Sequence, residues 1–379
     1  MRKNIVLVCL LYGMLVCCTN NKSIKESPVN GVINLENALN EKKTFSYDSI
    51  ISEISVIKFE NSKSSFIDNP KRFIINSNGD IYILNGNDNV LVFNADGNFL
   101  HHIGDRGKGP GEYLSASDFC ISRNGVICIL SGNKVFRYCK NGEFINKVIV
   151  SNLSKLLFSP EFIADDGNNG FFLWAFNPPY VMNYKEDFYC LLHINDNGKI
   201  TEKKFLWTNF NIGISQFSHS YNGDYWIAPN EGYSDIYAIK DKMVFNSFSL
   251  NFGKNLVSRE YFKNSGVNPF SILDEYFNSN CIKFINNIKD NNLYLYFTCV
   301  GNKYKWLEFL YNKDSKITKT GILNEKNPVI VFADSTFFYS FFEDNLIDDT
   351  LSMDNVFKNH LINFERGENS YLFKFKLMK

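Results

Sequence analysis

The chain has 379 residues, 45% of them apolar, and its Lys+Arg and Asp+Glu counts are both 40. That balance leaves no net field to draw a polyanion, and no basic stripe runs through the sequence, which argues against nucleic acid as a partner. The 36 Phe and 20 Tyr exceed ordinary usage and favour strands over helices.

The first residues are Arg2 and Lys3, an apolar run from Ile5 to Val16, then Cys17 and Cys18. The run is too short to span a bilayer permanently and fits the apolar region of a secretory signal. With Leu15 three residues before Cys18 and Cys17 just before the cut, "LVCC" resembles the cleavage box of bacterial lipoproteins. That resemblance implies a signal peptide over residues 1–17 and a lipid on Cys18. The polar stretch after it reads as a flexible tether over 18–44, leading to one domain over 45–379. The expected location is the bacterial cell envelope, lipid-anchored in the outer membrane and facing the periplasm, because the tether lacks an early acidic run. An ordinary cleaved signal with incidental cysteines is the alternative.

From residue 71 one pattern recurs: a short apolar strand, a turn of Asn, Asp and Gly, an aromatic-rich strand, a loop, and a second hairpin. It appears in "RFIINSNGDIYILNGNDNVLVFNADGNFLHHIG" and again in "DFCISRNGVICILSGNKVFRYCKNGEFINKVIV". Gly79 and Gly125 mark the first turns, 46 residues apart, and Gly97 and Gly142 the second turns, 45 apart. A four-strand unit of about 40 to 50 residues is the signature of a β-propeller blade. Looser copies begin at "EFIADDGNNG", "QFSHSYNGDYW" and "CIKFINNIKD". A sixth begins at "VIVFADSTFFY" and resumes at "NSYLFKFKLMK", which supplies only three strands. "ISEISVIKF", from Ile51 to Phe59, can supply the missing one. The expected fold is therefore all-β: a six-bladed β-propeller of four-stranded antiparallel blades, the last blade closed by an N-terminal strand. Segments 257–280 and 351–365 have helical apolar spacing and read as excursions from loops.

Between the first two units lies "GDRGKGPGEY". Gly104 and Gly109 have P-loop spacing, but Pro110 and Gly111 stand where Lys and Ser/Thr are required, and a strand follows instead of a helix. The stretch reads as a blade-to-blade connection in which Gly104, Gly107, Gly109 and Gly111 supply turn conformations. "HHIGDRGKGPGEY" also resembles the inter-blade signature of six-bladed β-propeller lipoproteins of Bacteroides-type bacteria, and the grammar of residues 71–150 resembles NHL-type repeats. The resemblance implies a fold and an envelope location, and little chemistry.

Six further cysteines are Cys120, Cys128, Cys139, Cys190, Cys281 and Cys299. Cys120 and Cys128 flank one turn, and Cys281 and Cys299 are symmetric about Asp290, so each pair can face across a hairpin. Buried free thiols are the favoured reading, since directly opposed strand positions suit disulfide geometry poorly. No Cys/His spacing for a metal is present, no nucleophile elbow, and no cofactor motif. His219 sits on an innermost strand and can face the central channel. Asp118, Asp165, Asp166, Asp224 and Asp334 are candidate oxygen ligands for a channel metal, though all but Asp118 sit in or near hairpin turns.

Blade-to-blade loops and second-to-third-strand loops share one face of a propeller. On that rim lie Arg106, Lys108, Tyr180, Tyr184, Tyr233 and Tyr304, cations and aromatic surface suited to a carbohydrate, a peptide or an envelope protein partner. Trp174 and Trp226, just before two of these loops, read as filling between blades. The expected function is binding on this face without catalysis. The alternative is a metal-dependent, lactonase- or lyase-like enzyme working in the central channel.

Overall fold

The computed structural model describes residues 28–36, 39, 46–86, 89–153, 159–176, 189–206, 217–229, 234–256, 279–301, 305–343, 353–362, 364 and 369–379. Six antiparallel sheets of four strands form a closed ring. Blade 1 is Pro70–Ile75, Ile81–Asn85, Asn89–Phe93 and Phe99–Ile103; blade 2 is Asp118–Ile121, Ile127–Ser131, Lys134–Tyr138 and Phe144–Ile149. Blade 3 is Ser159–Asp165, Phe171–Phe176, Tyr189–Ile194 and Ile200–Leu206; blade 4 is Ser218–His219, Tyr225–Ile227, Asp235–Lys240 and Met243–Asn251. Blade 5 is Ile285–Asp290, Tyr294–Val300, Trp306–Asn312 and Thr318–Ile322. In blades 1 to 5 the first strand is innermost, so the chain travels outward and then returns to the axis.

Blade 6 closes the ring as the sequence reading expects. Its inner strands are Val329–Ala333, Phe338–Glu343 and Ser370–Leu377, and Ile51–Lys58 pairs along the outside, with Ile54 opposite Phe375 and Val56 opposite Phe373. The seam is cemented by rings: Phe59 lies 4.8 Å from Phe93, and Phe341 lies 4.9 Å from Phe73, both contacts joining blade 6 to blade 1. Such aromatic pairs add to the area they bury. Gly97, in the outer turn of blade 1, meets the closing strand so closely that a Cβ there would stand 2.3 Å from the Lys58 carbonyl oxygen.

The turns explain the period. At the first turn of blade 1 the Asn76 Oδ1 accepts from the backbone N–H groups of Asn78 and Asp80, both at 2.9 Å, and Gly79 follows at φ +87°. The second turn repeats this with Asn94. Asn and Asp side chains that bond their own backbone two residues on hold such turns locally. Asp165, Asp166 and Asp334 accept in this way, Asp166 from the N–H groups of Asn168 and Gly170 and also from His193, while Asp224 lies in a turn held by Asn222, to whose Oδ1 it donates its N–H.

Two features differ from the sequence reading. Part of the segment read as a tether is built into the fold: Val32–Asn34 runs parallel to Met243–Asn251 as a fifth strand of blade 4, with Ile33 and Leu35 fully buried. It covers an edge that would otherwise present unpaired backbone. Cys120 and Cys128 are directly opposed, and both are buried thiols, but Cys281 does not face Cys299. The hairpin turns at Asn291–Tyr294, later than Asp290, and a bulge between Asn286 and Lys289 shifts the register by one residue, so Cys299 faces Ile285 instead. Of the two helical excursions, Asn355–Leu361 is an α-helix that sets Phe357 against Phe373 and Phe375, while 257–278 lies outside the described residues.

Candidate functional site at the channel mouth

The inner strands all start at the face of the blade-to-blade connections, so their first residues surround the channel mouth. Four of them are bulged near that end: the register slips between Pro70 and Arg72, Pro160 and Phe162, Asn286 and Lys289, and Ile330 and Phe332. A bulge places an extra residue against the partner strand and re-aims the side chains beside it. In blade 5 the extra length puts Asn287 in the left-handed region at φ +48°. Its N–H donates to Asn286 Oδ1 at 2.8 Å, and its side-chain amide donates across to the Ile330 carbonyl of blade 6 at 2.9 Å.

A cavity of about 340 Å³ opens there, bounded by blades 1, 4, 5 and 6. That volume lies within the usual range for small-molecule sites. Aromatic and apolar surface comes from Phe73, Phe217, Phe332 and Trp306, and amide groups come from Asn286, Asn287, Asn324 and Asn327. Trp306 is braced edge-on by Phe284, with ring centroids 5.8 Å apart.

Arg72, His219 and Lys289 also line this cavity, and they are held in place by the inner strands. Arg72 Nε donates to Asp118 Oδ1 at 2.5 Å. The other oxygen of Asp118 accepts from the Ile163 backbone N–H at 2.9 Å, so one carboxylate ties blades 1, 2 and 3 together at the axis. Burial pushes Asp118 up to about 6 even though Arg72 and the two backbone donors oppose it. Burial also holds His219 down to about 3, helped by the charges of Arg72 and Lys289, so this imidazole is neutral. Its Nε2 is shut away from solvent and has no hydrogen-bond partner among the described residues.

Lys289 is the unusual member. It is 9% exposed, and its Nζ donates only weakly, to Ser218 Oγ and to its neighbour's carbonyl at Ile288, both at 3.3 Å. No carboxylate ion pair reaches it among the described residues, unlike Lys313, which has Asp290 at 2.9 Å. Burial first, and then the Arg72 charge, bring Lys289 down to about 7.

On the blade 5 side, Tyr47 closes the cavity by donating its hydroxyl to Glu308 Oε2 at 2.8 Å. Tyr47 itself is fixed by its backbone N–H, which donates to Asp354 Oδ2 at 2.6 Å, and Asp354 leads into the helix. Glu308 is 1% exposed; burial drives it up to about 7, with Asp354 adding to the rise and the two tyrosine hydroxyls opposing it.

Of the residues nominated from the sequence, Arg106 and Lys108 are exposed and do not line the cavity. Their loop is folded on itself: Asp105–Arg106 pairs in parallel with Glu112–Tyr113, and the Gly109 N–H donates to Glu112 Oε2 at 2.7 Å. That carboxylate occupies the place where a Cβ on Gly107 would stand, only 1.9 Å away, while Gly104 and Gly111 take left-handed φ values of +76° and +77°. Tyr180, Tyr184, Tyr233, Tyr304 and Cys18 lie outside the described residues. Trp174 and Trp226 are buried between blades, the latter donating Nε1–H to Asp290 at 2.8 Å. Among the described residues no three His, Cys, Asp or Glu side chains converge as metal ligands. Lys289, Arg72, Trp306 and the Asn286–Asn287 pair were not singled out by sequence reasoning. The available signal was a cation inside an inner-strand stretch, as in "PKRF" and "NNIKD".

A family described as Domain of unknown function (DUF4934) matches residues 30–368. The chain belongs to this family. The match begins just before the N-terminal edge strand of blade 4 and runs to the last strand of blade 6, Ser370–Leu377, which follows it in this DUF4934 chain. Among solved structures, the chain is similar to a Bacteroides fragilis protein described as exported, at 18% identity and a TM-score of 0.74, covering 92% of this chain and all (100%) of that one. It also matches a Bacteroides thetaiotaomicron protein of unknown function at 10% identity and a TM-score of 0.43, covering 86% of this chain and 76% of that one. A Bacteroides ovatus auxiliary nutrient binding protein matches at 10% identity and a TM-score of 0.39, covering 89% and 76%. The first likeness is one of fold. Comparison with curated proteins returned no match.

Proposed function

We propose that this chain is an exported, lipid-anchored binding protein that takes a saccharide into the cavity at the channel mouth. The observation that carries the reading is the cavity wall. An indole and three phenyl rings offer apolar faces, and four asparagine side chains offer amides of both polarities beside them. Sugars present this combination in reverse, with apolar ring faces edged by hydroxyl groups, and a few placed polar groups in an apolar pocket fix orientation. The test is calorimetric titration against a panel of neutral and acidic oligosaccharides, repeated with Trp306→Ala. The wild-type chain binds at least one saccharide, and the variant binds it about tenfold more weakly, in line with the loss of a central aromatic anchor. A flat panel, or a variant that binds as the wild type does, overturns the reading.

The anchor rests on the "LVCC" box and on the export described for the Bacteroides fragilis relative. Cys18→Ala in the full-length chain is expected to move the protein from the membrane fraction to the soluble fraction. Continued membrane association in a salt-washed preparation would rule out the lipid on Cys18.

A further inference from the structure

We propose that the floor of the cavity is an anion seat formed by Lys289, Arg72 and His219, and that the saccharide it accepts carries a carboxylate, as a uronic acid does. This rests on the reading of the cavity as a saccharide site and names the class of sugar.

Charge accounting supports it. Cations from blades 1 and 5 line one cavity, and the carboxylate beside Arg72, Asp118, is committed to Arg72 Nε and the Ile163 N–H. Lys289 is buried without an ion-pair partner among the described residues, held by two long hydrogen bonds. A buried ammonium without a counter-charge is a costly thing for a fold to keep, and such groups are ordinarily paired. His219 contributes a further buried nitrogen, Nε2, with no partner. As a neutral imidazole with Nε2–H it donates one hydrogen bond to an incoming oxygen and adds no charge. A carboxylate reaching the floor therefore finds an ammonium, a guanidinium edge and an imidazole, while the sugar ring behind it meets Trp306 and the amides of Asn286 and Asn287. Glu308 and Glu325 line the same cavity, and Glu308 is engaged by the Tyr47 hydroxyl.

The test compares digalacturonate with its carboxyl-reduced, neutral counterpart on the wild-type chain and on Lys289→Met, a change that keeps volume and removes charge. On the wild type the acidic probe binds about tenfold or more tightly than the neutral one, the scale expected for a charge-assisted hydrogen bond. In Lys289→Met the two probes bind alike. Equal binding of both probes to the wild type, or an acid preference that survives in the variant, overturns the anion seat and leaves the saccharide reading standing. Failure of both probes and of every neutral glycan overturns the saccharide reading itself, and this inference with it. Triglutamate binding as tightly as digalacturonate overturns the sugar assignment and keeps the anion seat. The two-probe comparison on the wild-type chain decides the matter even if the variant does not fold.

Discussion

Asp118→Ala is expected to destabilise the ring by about 3–5 kcal/mol, the usual cost of removing one partner from a buried ion pair. The change leaves Arg72 buried with a charge that a guanidinium cannot shed, and it takes the acceptor from the Ile163 N–H. The reverse variant, Arg72→Met, should cost less. It leaves behind a carboxyl group that already binds its proton up to about pH 6 and that, without Arg72, holds it to higher pH still. The sign follows from linkage. A carboxyl whose folded value lies above its unfolded one contributes stability that is complete at low pH and is lost as pH rises through the folded value. The deficit of Arg72→Met relative to wild type should therefore shrink as pH is lowered from about 8 to about 6, whereas that of Asp118→Ala has no such route. Guanidinium unfolding at both pH values checks this, and an Arg72→Met variant as unstable as Asp118→Ala would show that the pair does not act as described.

Glu308→Gln is expected to have the opposite sign and to stabilise the protein at pH 8, by about 3 kcal/mol given a value raised from the ordinary 4.5 to about 7. Burial raises Glu308 to about 7, so the folded state holds its proton more tightly than the unfolded chain does. Stability is lost as pH climbs from about 4 to about 7 and is level beyond that. Glutamine keeps an acceptor for the Tyr47 hydroxyl and removes the ionisation, so the advantage should vanish near pH 4. Melting curves at pH 8 and pH 4 test this directly. A variant that is less stable at pH 8, or equally favoured at both pH values, contradicts it.

The ring was legible because its grammar is local. Asn76, Asn94 and the glycines three residues after them, Gly79 and Gly97, fix turns through side-chain hydrogen bonds that need no tertiary context, and their spacing exposes the blades. The closing strand was legible for a related reason: a lone strand at Ile51–Lys58 and a three-strand remnant at the far end are complementary. Much less of the site could be read. The bulges at Pro70, Asn286 and Ile330 carry no composition signal, yet they decide which inner-strand side chains surround the cavity. Periodicity assigned His219 to the channel, and turn position separated Asp118 from the other aspartates, but neither reveals that Arg72 and Lys289 meet there from blades far apart in sequence. The edge strand at Val32–Asn34 was missed because its three residues show no repeat and gain their burial only from Met243–Asn251.

The closure of blade 6 also constrains how the molecule comes into being. Ile57 and Leu372 are paired neighbours in space, and everything between them must be made before they can meet. Contacts of such sequence separation are late and slow to form. Until then, blades 1 to 5 can assemble only as an open arc with raw ends, Phe73 lacking the Phe341 ring that meets it from blade 6. The seam thus works as a completion check: a chain cut back into Ile51–Lys58 or Ser370–Leu377 would be left as an arc, exposed to aggregation and proteolysis, and only a chain carrying both strands becomes a ring.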